Sequence, residues 1–191
     1  MRPTEQLKEE HNAIKLMLRI LEKVCEKLES KEEVNPEHLE KIVEFIKVFA
    51  DKCHHGKEED LLFPAMEDAG IPKEGGPIAV MFVEHNMGRD YVKGMSEAVA
   101  KYKAGDRTIL PKIVENAKNY IRLLTPHINK EDNILYLMAD MRLSKDKQKE
   151  LLEEFERVER EIIGASKHEE FHQLLHNLKQ VYLGDSQYGA E

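Results

Sequence analysis

The sequence contains no tryptophan, two cysteines and 6% aromatic residues, so neither an aromatic-rich sandwich core nor a disulfide framework is open to it. It has no apolar run of the length, about 18 residues, that a membrane span requires. Basic residues number 29 against 37 acidic ones and are interleaved with them, giving a net charge of -8. Nucleic acid and anionic membrane are thereby set aside as partners. No glycine-rich phosphate loop, nucleophile motif or nucleotide fingerprint is present. Residues 1–12 are polar and charged, unlike a secretory leader, so the cytoplasm is the expected compartment. Cys25 and Cys53 lie inside helical patterns without a CxxC spacing, and read as buried free thiols.

What is abundant is a mixture of 35% charged and 41% apolar residues, the composition of amphipathic helices rather than strands. A chain of 191 residues suits one core with an appendage. The expected fold is therefore all-α.

The spacing locates the helices. Leu7, His11, Ile14, Leu18, Leu21, Cys25 and Leu28 step by three and four along one face. A second helix begins at Pro36 with Asn35 as its cap and carries Leu39, Val43, Ile46, Ala50, His54, Glu58 and Leu61 inward. Gly70, Pro72 and Gly75-Gly76-Pro77 end it. The third presents Ile78, Met81, His85, Gly88, Val92, Met95, Val99 and Tyr102. Gly105-Asp106 turns the chain into a fourth, with Ile113, Ala117, Tyr120, Leu124, His127, Glu131, Ile134 and Met138 on one face. Short connections predict an up-down-up-down four-helix bundle over residues 1–142. A helical hairpin over 143–183 follows, with Leu151, Phe155, Val158 and Ile162 before a break at Gly164 and Phe171, Leu175, Leu178 and Tyr182 after it. Residues 184–191 are expected to be a flexible tail.

Ionisable residues interrupt these apolar stripes in a repeated pattern. EEHN around His11 matches VEHN around His85; His54 follows His11 by 43 residues and His127 follows His85 by 42. His54-x-x-x-Glu58 and His127-x-x-x-Glu131 then share one form, a pseudo-twofold repeat of a helix pair. Residues four apart sit one turn apart on the same face, so each His and Glu can serve one metal or two neighbouring ones. Taken singly, a histidine on an apolar face is more often a core residue, and a His-x-x-x-Glu pair is more often a solvated surface pair. Six such groups at one depth are different, because burying them without cations would cost several kcal/mol each. The candidate metal ligands are His11, His54, Glu58, His85, His127 and Glu131. Four imidazoles and two carboxylates suit iron, with manganese or zinc as substitutes, and two carboxylates able to bridge favour a pair of ions.

HHGKEE also offers the overlapping pair His55/Glu59. The internal comparison favours His54/Glu58, which stands at the same distance from Leu62 and Phe63 as His127/Glu131 does from Leu135 and Tyr136. His55 and Glu59 would then lie behind the ligands or on the surface. Tyr120 and Tyr136 read first as packing residues, with electron relay as the alternative. His168, His172 and His176, at steps of four, read as packing or surface groups, because no carboxylate or cysteine supports them as a second metal stripe.

The segments EEHN at His11, HHGKEEDLLFP from His54, GGPIAVMFVEHNMGRDYV around His85 and HINKEDNILY from His127 resemble the hemerythrin-like, or HHE cation-binding, family over roughly residues 4–140. The resemblance implies two non-haem iron ions with an oxo or hydroxo bridge, Glu58 and Glu131 as bridging carboxylates, His11 and His54 on one iron and His85 and His127 on the other. Oxygen-carrying members place a further histidine four residues after the third-helix ligand, where this sequence has Arg89. Four histidines instead of five imply an exchangeable position suited to reaction with O2, NO or peroxide rather than to reversible carriage. The functions in view are binding or sensing of such a small diatomic ligand or peroxide, a di-iron oxidase, peroxidase or NO reductase served by an electron-donor protein, and an iron-donating repair protein. A metal-free helical interaction module is the reading that the ligand pattern opposes.

Overall fold

The computed structural model describes residues 1–184, which are helical with short connections and contain no strand. Six helices follow one another: α1 (Pro3–Glu29), α2 (36–68), α3 (Pro77–Lys103), α4 (110–142), α5 (145–163) and α6 (Gly164–Leu183). Apart from Gly184, the expected tail lies outside the described residues. None of these helices is long and apolar enough to cross a membrane.

Local chemistry sets the boundaries. The Asn35 side chain accepts a hydrogen bond from the Glu37 amide at 2.9 Å, with Pro36 at the first helical position. Asp106 takes the amide of Thr108 in the turn before α4, and Ser144 takes that of Lys147 at the start of α5. α5 stops at Gly164, whose φ of +69° belongs to the left-handed region.

α1 packs on α4 and α2, α3 packs on α4 and α2, and α6 lies along α1 and α2. The pairing of α3 with α4 is the most extensive. At this pairing Gly94 lies against Asn116, and a Cβ there would stand 2.6 Å from Asn116 Oδ1, so any larger residue would have to displace that side chain. With neighbours on two sides, α1 buries Met17, Ile20 and Val24 in addition to the expected stripe.

The apolar interior falls into two clusters. One contains Ile14, Leu21, Phe45, Met95, Tyr120 and Leu124, and the other Leu7, Phe63, Met81, Leu135, Tyr136 and Phe155. The C-terminal hairpin contributes to both, Leu151 and Phe155 to the second and Phe171, Leu175 and Leu178 to the first. Each such side chain contributes about 1.5–3 kcal/mol relative to exposure. Between the clusters, at the level where each of α1 to α4 passes from one to the other, lies a layer of buried histidines and glutamates.

The helices depart from the expected registers in one systematic way. Leu62 is buried where Leu61 was expected, Leu135 where Ile134 was, and Ile163 where Ile162 was; Ile134 is 53% and Ile162 40% exposed. Met138 is only partly buried, and Ala139 takes its place. Each shift falls at or just past a π-helical turn, at Ile46–His55, Glu58–Leu62, Glu131–Leu135 and Glu159–Ile163. In α2 the buried residues Ile42, Ile46, Ala50, His54, Glu58, Leu62 and Met66 follow a constant step of four. An α-helix would rotate such a row by about 40° per step, and wider turns keep it aligned. The same holds for His127, Glu131, Leu135 and Ala139, all buried.

Candidate metal centre

All six expected ligands converge in the buried layer, each no more than 1% exposed. His11 and His54 come with Glu131, and Glu58 and His85 come with the same Glu131, into groups whose donor atoms lie within 4.8 Å of one another. Glu131 spans the centre: Oε2 is 3.2 Å from His11 Nε2, and Oε1 is 3.0 Å from His127 Nε2 and 3.6 Å from His85 Nε2. Glu58 Oε2 lies 3.5 Å from His85 Nε2 and 3.9 Å from His54 Nε2.

A ring of carboxylates aims the histidines inward. His11 Nδ1 donates to Asp132 at 2.7 Å, His54 Nδ1 to Glu10 at 2.8 Å, His85 Nδ1 to Glu59 at 2.6 Å and His127 Nδ1 to Glu84 at 2.8 Å. A carboxylate only accepts, so each Nδ1 carries the proton and each Nε2 turns its lone pair to the centre. Every carboxylate in the ring is backed by a cation: Lys15 on Asp132, Lys57 on Glu10, Arg89 on Glu59 and Lys130 on Glu84. Lys57 is itself fully buried, held also by Glu159 of α5 and lying 5.5 Å over the Phe155 ring.

The polar atoms of this layer are left incomplete by the protein. Among the described residues, the buried side-chain atoms without a hydrogen-bond partner are His54 Nε2, Glu58 Oε2 and both Glu131 oxygens, groups that are rarely buried unpaired. His85 Nε2 and His127 Nε2 bring two lone pairs to 3.1 Å. Burial, then the Glu131 charge, push the Glu58 carboxyl well above the ordinary range. Burial opposes ionisation of Glu131 too, but the imidazoles of His127, His11 and His85 that face its two oxygens hold its carboxyl well below the ordinary range. Two carboxylates this close cannot both ionise unless cations stand between them. Burial pulls His54 down to about 4 despite its bond to Glu10, and keeps it a neutral donor. The donor set and its unmet valences fit divalent or trivalent metal.

Three features escaped the reading of the sequence. His55, expected behind the ligands or on the surface, is not on the surface: it is 4% exposed, stacks on the His85 ring at 3.8 Å and groups with His85 and His127. The wide turn of α2 is the cause, since it brings consecutive residues 53–55 into the interior. Tyr136 is part of the centre, its hydroxyl donating to Glu58 Oε1 at 2.7 Å and lying 3.5 Å from His11 Nε2. Tyr120 is a buried packing residue against Gly88. Of the carboxylate ring, Glu59 was expected behind the ligands or on the surface, whereas Glu10, Glu84 and Asp132 were missed, although each adjoins a candidate ligand in sequence: Glu10 precedes His11, Glu84 precedes His85 and Asp132 follows Glu131. His168, His172 and His176 are exposed on α6 and join none of the metal-competent groups found among the described residues.

Both cysteines are free and buried, and burial pushes each thiol up to about 12. A thiol-specific reagent at pH 8 is therefore expected to label neither in the native protein and both after denaturation. Rapid native labelling of Cys53 would show that α2 opens beside His54.

Imidazoles and carboxylates turned inward at one level of a helical interior define a cation-binding helical protein. Residues 2–139 match the hemerythrin HHE cation binding domain, and the chain belongs to that family. Among curated proteins it is similar to uncharacterised proteins of Mycobacterium tuberculosis and Mycobacterium bovis, 25% identical over 162 residues that cover 85% of this chain. The chain spans 63% of the length of those relatives. No solved structure gives a significant match.

Proposed function

We propose that residues 1–142 form an up-down-up-down four-helix bundle holding two iron ions, with the hairpin of 143–183 as an appendage. His11 and His54 would hold one ion and His85 and His127 the other, with Glu58 and Glu131 as the carboxylates shared between them. The observation that carries this reading is Glu131, whose two oxygens face ring nitrogens from opposite halves of the repeat at 3.2 and 3.0 Å. The ions would supply a redox-active, exchangeable position for O2, NO or peroxide. The protein's own part is to fix the four rings through their Nδ1 protons, to hold a hydroxyl proton of Tyr136 on Glu58 Oε1, and to keep bulk water out between two apolar clusters. Both thiols are free, in keeping with a reducing, cytoplasmic setting.

Metal analysis of freshly purified and iron-reconstituted protein, paired with an optical spectrum, is expected to give two irons per chain and near-ultraviolet absorption of a ferric pair, which zinc or manganese does not reproduce. His54→Ala and Glu58→Ala are each expected to lower metal content and melting temperature together, since ligands that fold around a metal couple the two. Unchanged iron in both variants would sink the assignment. Mixing the reduced, iron-loaded protein with O2 and then peroxide separates the remaining readings: a persistent charge-transfer band supports binding or sensing, whereas rapid reoxidation with turnover supports an oxidase, peroxidase or NO reductase fed by a donor protein. Transfer of iron to an apo-acceptor would support iron donation.

A further inference from the structure

We infer that His55 is a fifth imidazole ligand, serving the ion that His85 and His127 hold; the inference rests on the iron-pair reading above. His55, His85 and His127 each bring one ring nitrogen into a group that lies within 4.8 Å, and all three are buried. This is a nitrogen-only group, distinct from the two that contain Glu131.

The dressing of His55 supports the assignment independently. Each of the other four rings has its Nδ1 on a carboxylate that a cation backs. His55 has the same arrangement: Nδ1 faces Asp51 Oδ1 at 3.3 Å, and Arg89 Nε donates to that oxygen at 2.8 Å. Arg89 bonds Glu59 as well, so one guanidinium steadies the carboxylates behind both His55 and His85. A histidine that merely filled core space would have no use for this relay. The residue at position 89 thus supplies no nitrogen itself, and the third ring comes from α2 instead of α3. His55 also lines a cleft of about 320 Å³ shared with Asp51, Gly88, Arg89, Val92 and Tyr120, so its ring can be replaced from solvent.

The test uses the full chain loaded with 57Fe, comparing wild type with His55→Gly and Asp51→Asn. Mössbauer spectra of the diferric protein are expected to show two inequivalent irons in wild type, one with three ring nitrogens and one with two, and to converge in His55→Gly. Chelator competition is expected to remove one of the two ions from His55→Gly at least 10-fold more readily, in line with the 10- to 100-fold effect of lesser changes around metal ligands. Millimolar imidazole, entering by the cleft, is expected to restore both signatures. Asp51→Asn, which keeps the ring and its packing, is expected to weaken the same ion by a smaller factor. If wild type binds two irons and His55→Gly retains both with unaltered spectrum and affinity, this inference fails and the iron pair stands. If wild type binds no iron pair, both fall together.

Discussion

Glu131→Ala is expected to abolish stable metal binding and lower the melting temperature by roughly 10 °C relative to loaded wild type. The size follows from linkage: a ligand present at about 1,000 times its dissociation constant stabilises by about 4 kcal/mol, and each kcal/mol moves a chain of this length by about 2–4 °C. The effect should exceed that of any single histidine, because Glu131 faces His11 with one oxygen and His127 and His85 with the other. Calorimetry with and without chelator checks it. In wild type the chelator should reproduce most of the loss, whereas in Glu131→Ala it should do almost nothing. A variant that retains two ions per chain would remove this residue from the centre.

The second large effect lies outside the ligands. Lys57→Ala is expected to destabilise the fold by about 3–5 kcal/mol, the usual penalty for stranding the partner of a buried ion pair. Lys57 is fully buried, with its ammonium against both Glu10 and Glu159 at 2.5 Å. Against burial, the hydrogen bond from His54 and the Lys57 ammonium hold the Glu10 carboxyl down at about 2, so removal of the lysine takes away the charge partner of a largely buried carboxylate. Glu10 also aims His54, and metal affinity should fall with stability. Double replacement, Lys57→Met with Glu10→Gln, should recover much of the stability but not the affinity, since a carboxamide polarises the ring less. Denaturant midpoints and chelator competition on the three proteins separate the two effects. A Lys57→Ala variant as stable as wild type would show that the pair is dispensable.

The helices and the burial of the six candidate ligands were legible because they leave a one-dimensional trace. Apolar steps of three and four mark a buried face, and a His or Glu on that face has few reasons to be there without a partner. The repeat of EEHN and VEHN and of the two His-x-x-x-Glu pairs fixed the choice of His54/Glu58, and Glu58 is fully buried while Glu59 is partly exposed. What a fixed α-helical period cannot convey is a local change of pitch. Leu61, Ile134 and Ile162 were placed inward by extrapolating that period through turns that are wider. The burial of His55, which that period left open, has the same cause. The warning was present in the unbroken steps of four from Ile42 to Met66, which only a widened helix keeps on one side. Contacts such as Glu59 with His85 or Lys57 with Glu159 join separate helices, and no spacing within one helix announces them.

The widened stretch of α2 has a bearing on how such a centre arises. A π-turn holds one residue more than an α-turn while the helix on either side keeps its place. Gain or loss of a single codon near Gly56 would therefore change which donors look inward and leave the scaffold standing. In this chain the choice of rings that face the buried layer is set by backbone pitch as much as by side-chain identity, so a chain with the same histidines but a tighter helix would turn a different set of rings inward.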